Sequence, residues 1–158
     1  MDVVDGTKRI VVAVDESSES MHALAWCLSH LLPSDAVLVL LYVKPPPPPF
    51  YSFFDAAGYM LSGDATAEVQ KLGTRMVQSV MDRAEAVCRD FNHGVSVERF
   101  VGTGDAREVI CKAVDKLGAD TLVMGCHGYG FMKRALLGSV SEYCSKHVKC
   151  PVVIVKHQ

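Results

Sequence analysis

Apolar residues along this chain fall into two alternating rhythms. Residues 9–15 (RIVVAVD) form a short β-branched run with no apolar and polar alternation, the pattern of a parallel strand covered on both faces. A Ser/Glu cluster at residues 16–20 can cap a helix, and Met21, Leu24, Ala25, Leu28 and Leu31 then recur at helical spacing until Pro33 stops them. The unit repeats. Residues 36–43 (AVLVLLYV) read as a second strand, and residues 65–91 as a long helix with Val69, Leu72, Met76, Val80, Ala84 and Val87 on one stripe. Residues 96–101 give a shorter third strand. Residues 105–117 give a third helix, opened by a capping box (Asp105 with Glu108) and closed by Gly118. Residues 121–124, 139–147 and 151–155 (PVVIV) complete the series as strand, helix and strand.

Strands alternating with helices predict an α/β fold, a right-handed parallel sheet with helices on both faces. Ligands of such sheets sit at the carboxyl ends of strands, near the point where strand order reverses. Asp15 and the loop beginning at Gly125 both fall at such ends. Residues 44–64 break the rhythm: five prolines (Pro45 to Pro49) precede Phe50, Tyr51, Phe53, Phe54 and Tyr59. A crossover loop of this composition reads as a stiff spacer whose aromatics pack on the body; the alternatives are a polyproline II segment for an SH3 or WW partner, or an aromatic lid over the ligand.

Composition narrows the class. At 158 residues the chain fits one domain, residues 1–158, and such a length buries roughly 70% of its unfolded surface without disulfide or metal staples. With 49% hydrophobic residues, 22% charged and a net charge of -2, it reads as a soluble globular protein with no polybasic surface, which argues against nucleic acid as a partner. No apolar run approaches the roughly 20 residues of a membrane span. The first residues carry Asp2 and Asp5 where a signal peptide would be basic and then apolar, so a cytoplasmic location is expected. The six cysteines include no CxxC pair, which signals neither zinc nor a thioredoxin-type motif. Cys27, Cys88 and Cys111 lie in helical patterns as packing residues. Cys126 lies in the glycine-rich loop, where a lowered pKa would give it a redox-sensing case.

The candidate chemistry lies in Gly125-Cys126-His127-Gly128, nine residues, then Gly138-Ser139. The first glycine follows a strand. The last precedes a helix whose opening, Ser139-Val140-Ser141-Glu142, reads as a capping box. Phosphates are held by unpaired backbone N–H groups at a helix amino terminus, where a side chain would obstruct them. Gly125 and Gly128 would let the backbone turn over the phosphates, Gly138 would bring the helix start close, and Ser139 would add a hydroxyl. Turns alone are the alternative use of these glycines. No GxxxxGK[ST] motif is present, Gly102-Thr103-Gly104 is followed by Arg107 where a dinucleotide fingerprint needs a small residue, and GxSxG is absent. Asp15 could accept from ribose hydroxyls or merely cap the next helix. His127, Lys133 and Arg134 could meet phosphate or simply be solvated.

The segment GCHGYGFMKRALLGSVSEYCSKHVKCPVVIVK resembles the carboxyl-terminal signature of the universal stress protein family, and RIVVAVDESSES and VGTGDAREVICKAVDKLGADTLVMG resemble its earlier strands and ligand turn. The likeness covers nearly the whole chain apart from the proline and aromatic loop, and points to the small, plant-like, nucleotide-binding form. It implies a Rossmann-like three-layer sandwich with a five-stranded sheet, a homodimer through the last strand (Pro151, Val152, Val153, Ile154, Val155), and bound ATP or AMP, with Mg²⁺ accompanying ATP. Asp15 would hold the ribose or adenine edge, Ala13 and Val14 would line the base, and Val43 would meet adenine through its backbone. Met124, Gly125, His127, Gly128, Gly138, Ser139, Val140 and Ser141 would complete the site around the phosphates. Cys126 departs from the serine often found there.

Two functions follow in order of preference. The first is a stress-response regulatory module that binds an adenine nucleotide and carries no catalytic residues. The second is a weak ATPase or phosphotransferase, which demands a positioned base and usually a carboxylate-held Mg²⁺; only Asp15 and Asp120 come near, and Asp120 is expected at the wrong end of its strand. A redox-dependent chaperone or scaffold is the remaining alternative.

Overall fold

The computed structural model describes residues 6–46, 63–91, 94–126 and 137–157. The central and later part of the proline and aromatic loop, and the middle of the glycine-rich loop with His127, Gly128, Lys133 and Arg134, lie outside the described residues. Among the described residues, five strands, β1 (Arg9–Ala13), β2 (Val37–Lys44), β3 (Ser96–Thr103), β4 (Thr121–Gly125) and β5 (Val152–Val155), alternate with four helices, α1 (Ser18–His30), α2 (Gly63–Phe91), α3 (Ala106–Leu117) and α4 (Ser139–His147). All strand pairs are parallel, in the order β3-β2-β1-β4-β5. The chain therefore runs outward from β1 through β2 to β3, returns to lay β4 beside β1, and ends with β5 at the other edge.

The uninterrupted apolar runs of the strands are explained by two cores. Ile10, Val12, Leu38, Leu40 and Val123 pack with Leu24 and Cys27 of α1 and with Val80, Met81 and Ala84 of α2. The alternate residues Val11, Val39, Leu41, Leu122 and Met124 point to the opposite face, against Ile110, Ala113 and Val114 of α3 and Cys144 of α4. Each fully buried Leu or Val contributes about 1.5–3 kcal/mol against leaving it in water. Both faces of the central strands are covered, so neither keeps a polar side.

Helix ends follow their caps. Ser17 accepts from the Ser20 N–H at the start of α1 (3.2 Å). Asp105 accepts from the Arg107 N–H (2.9 Å), and Gly118 closes α3 in the left-handed conformation at φ 60°. The expected capping box at residues 139–142 does not form. Gly138 is the N-cap and makes no side-chain cap hydrogen bond, Ser139 is already helical, and Glu142 pairs instead with Lys146 (2.9 Å). The apolar stripe of α2 also divides: Val80 and Ala84 are buried, whereas Val69, Leu72 and Met76 are 37%, 58% and 40% exposed. The helix begins before it reaches the sheet.

Candidate functional site

Strand order reverses between β1 and β4, and a cavity of about 250 Å³ opens at their carboxyl ends. Its floor comes from Ala13 at the end of β1 with Val14 and Asp15 after it, Val43 of β2, and Met124 and Gly125 at the end of β4. Its walls come from the first turns of three helices: Ser17, Glu19 and Ser20 at α1, Ala106 and Ile110 at α3, and Val140 and Ser141 at α4. A parallel sheet with helical crossovers puts helix starts and strand ends on the same side, so these amino termini converge. Each carries a partial positive charge and N–H groups with no partner inside the helix. At α4 the N-cap is glycine and makes no side-chain cap hydrogen bond to the first turn.

The turn between β1 and α1 is held by its own polar groups. Asp15 Oδ1 accepts from the Ser17 N–H (2.9 Å) and from the Ser17 hydroxyl. Buried Ser20 accepts the Asp15 N–H (3.1 Å) on its Oγ and donates that hydroxyl to the Asp15 or Ser17 carbonyl. Asp15 thus does the work of a capping turn and lines the cavity as well. Beside it, the Tyr42 hydroxyl donates to Glu16 Oε1 (2.7 Å). Burial, and after it the hydrogen bond to Glu16, pushes the Tyr42 phenol well above its ordinary value, so it stays a neutral donor.

Eight residues expected at the site line this one cavity although they come from four separated segments: Ala13, Val14, Asp15, Val43, Met124, Gly125, Val140 and Ser141. Gly138 and Ser139 do not line it, because the helix start turns Val140 and Ser141 toward the opening; the Ser141 hydroxyl donates to the Gly138 carbonyl (3.0 Å). Gly125 has a packing task as well as its place in the lining. A Cβ there would lie 2.7 Å from the backbone carbonyl carbon and oxygen of Glu19 and 3.0 Å from the Ser20 nitrogen, so glycine is required for α1 to seat against β4. Sequence reasoning missed Glu16, Glu19, Tyr42 and Ile110 of the lining. Ile110 reads as core by its helical spacing, and Tyr42 as an ordinary strand residue. Asp120 stands before β4, at the far end of the sheet, as expected: it accepts the Arg9 N–H (2.8 Å) on Oδ2. Among the described residues no group of three His, Cys, Asp or Glu side chains could hold a metal ion, and no helix is long and apolar enough to cross a membrane.

With this geometry in view, similarity to known proteins identifies the family. The profile of the universal stress protein family matches residues 6–156, and the chain belongs to that family. It is 32% identical over 160 residues to universal stress protein PHOS32 of Arabidopsis thaliana, covering 95% of this chain and 65% of that protein. It is also 32% identical to PHOS34 of the same plant, covering 95% of this chain and 62% of that protein. The chain therefore spans less than two thirds of the length of these two relatives. Among solved structures it resembles an Arabidopsis thaliana universal stress protein family protein with AMP bound (TM-score 0.68, 24% identity, 96% and 92% of the two chains). It also resembles the universal stress protein of Archaeoglobus fulgidus in complex with dAMP (TM-score 0.60, 16% identity, 95% and 98% covered). These likenesses establish the five-stranded parallel α/β fold.

Proposed function

For this universal stress protein family member, we propose a regulatory module that binds an adenine nucleotide, AMP or ATP, in the cavity at the carboxyl ends of β1 and β4, and that works as a homodimer paired through the edge strand β5. One observation carries the reading: four separated segments bring eight ligand candidates to a single cavity ringed by three helix amino termini. The apolar floor of Ala13, Val43 and Met124 suits a purine face, Asp15 suits the ribose hydroxyls, and the first turn of α4, with its glycine N-cap, suits phosphate. Binding of AMP and dAMP by the two structural relatives supports the same ligand class.

The residues fit a nucleotide better than they fit a catalytic centre. ATP would bring its Mg²⁺ on its own phosphates, because the described residues supply no ready metal-binding group. The described acidic lining residues already accept hydrogen bonds: Asp15 from Ser17, Glu16 from Tyr42 and Glu19 from the Ser18 hydroxyl (3.3 Å). The module's output is accordingly a change of surface or dimer on occupancy, in the cytoplasm, under stress.

Calorimetric titration of AMP and ATP into the full chain, with phosphate release followed in parallel, tests this reading. Gly138→Val is the paired variant. Gly138 has φ -69° and ψ 158°, a conformation valine also adopts, yet the new side chain stands over the first-turn N–H groups. Binding weakened by roughly tenfold, equivalent to about 1.4 kcal/mol, with no turnover in either protein, supports the module. Turnover that the variant loses would favour an enzyme, and no binding by the parent would end the proposal.

A further inference from the structure

The walls of the cavity are joined on one side by a seam between α3 and α4 that the nucleotide reading leaves unused. The Arg107 guanidinium lies 5.9 Å from the centroid of the Tyr143 ring. One turn along α3, Cys111 meets the buried Cys144 of α4 in a side-chain hydrogen bond, both sulfurs belonging to the core on that face of the sheet. Cys111 is next to Ile110, and Cys144 follows Ser141 by one helical turn; Ile110 and Ser141 both line the cavity. All six cysteines are thiols.

We propose that Cys111 and Cys144 are a peroxide-responsive dithiol whose disulfide clamps α3 to α4 beside the cavity. Cys111, only partly buried, meets the oxidant before the fully buried Cys144. Its thiolate attacks hydrogen peroxide, the O–O bond breaks, and the sulfur becomes a sulfenic acid as hydroxide leaves and takes up a proton as water. The Cys144 sulfur then attacks the Cys111 sulfur; an S–S bond forms, the S–O bond breaks, and the Cys144 proton leaves with the departing hydroxide as a second water. Two thiols and one peroxide give one disulfide and two waters, the sulfurs oxidised and the peroxide reduced. Burial, and after it the contact with Cys111, holds Cys144 up to about 12, so it remains a thiol until its neighbour is activated.

A second pair supplies an internal control. Cys27 of α1, fully buried, and Cys88 of α2 belong to the core on the opposite face, away from the cavity seam, and burial pushes both thiols up, to about 12 and about 11. Closing the Cys111 and Cys144 contact to a bond length of about 2.05 Å draws the two sulfurs together. The disulfide would fix the spacing of the helices that carry Ile110 and Ser141.

The test treats the full chain with hydrogen peroxide at neutral pH, blocks remaining thiols, and maps peptides without reduction. The expected product is a Cys111 to Cys144 cross-linked peptide that dithiothreitol reverses, with Cys27 and Cys88 still alkylatable after denaturation. Cys111→Ser, at a partly buried position, abolishes it without emptying the core. A Cys111 that ends as sulfinic acid beside an intact Cys144 thiol, or a disulfide that uses Cys126 or Cys150 instead, overturns the proposal. The effect on AMP rests on the nucleotide reading: oxidation should weaken AMP binding about fivefold, a modest coupling between sites. Failure of the reduced chain to bind AMP would count against that reading and leave the cross-link standing, whereas a missing cross-link in an AMP-binding chain removes only the dithiol.

Discussion

The two ends of the parallel sheet are made from the same strands and end in opposite ways. At the amino ends of β1 and β4 the chain pairs its backbone groups with its own polar atoms, although Arg9 Nε is buried without a hydrogen-bond partner. The Arg9 N–H donates to Asp120 Oδ2, the Asp120 N–H donates to the Arg9 carbonyl (both 2.8 Å), and the Arg9 guanidinium pairs with Glu98. At the carboxyl ends the strands part over a cavity, and three helix starts face it. Every crossover helix runs antiparallel to the strand before it, so topology gathers the positive ends of the helices on one side whatever the side chains are. The closed end holds the sheet together. The open end is where a ligand can replace the missing partners.

The difference can be broken most severely at Gly125. Gly125→Ala forces a Cβ into the Glu19 backbone and should cost about 2–3 kcal/mol as α1 lifts from β4, seen as a lower denaturant midpoint together with weaker AMP binding. An unchanged midpoint would mean that α1 does not need its seat on β4. At the closed end, Asp120→Ala removes only the acceptor for the Arg9 N–H. It should cost about 1 kcal/mol and leave AMP affinity as it was, so a large loss of affinity there would erase the distinction between the ends.

The smallest effect concerns a surface ion pair on the β3 edge. Arg99 donates from Nη2 to Glu85 Oε2 (2.7 Å), and this hydrogen bond holds the Glu85 carboxyl below its ordinary value of 4.5. A carboxylate whose folded pKa is depressed stabilises the fold above its unfolded pKa, and that contribution fades as pH falls through the folded value. Stability should therefore drop below about pH 4.5 by a part that Arg99→Met abolishes. For a surface pair that part is no more than about 1 kcal/mol. Denaturant titrations of the two proteins at neutral and acid pH would measure it, with AMP binding at neutral pH unaffected.

Much of this organisation was legible in the sequence because it is local. The bounds of α4 and the caps of α3 follow from short patterns, as do the five strands, whose apolar runs fit a sheet covered on both faces. Strand ends were less legible: β1 stops at Ala13, leaving Val14 and Asp15 to turn toward the cavity. Ala13, Asp15, Val43 and Ser141 could be named in advance through family resemblance and now share a cavity. Glu16, Tyr42 and Ile110 could not, since their place in the lining depends on how three elements meet. Gly125 shows the limit of reading a motif: a glycine in a phosphate-type loop owes its identity at least partly to the backbone of α1 behind it. The Ser139 capping box failed for a related reason, because Gly138 takes the capping position and Glu142 finds Lys146 one turn later.

The central claim is that the open end of the sheet, and not the closed end, receives an adenine nucleotide. Amide chemical shifts recorded while AMP is titrated into the isotope-labelled full chain test it residue by residue. The account predicts saturable shifts concentrated at residues 13–20, 43, 124–126 and 139–141, with Arg9, Asp120 and Thr121 still. Shifts confined to the amino end, or none at all up to millimolar AMP, would contradict it.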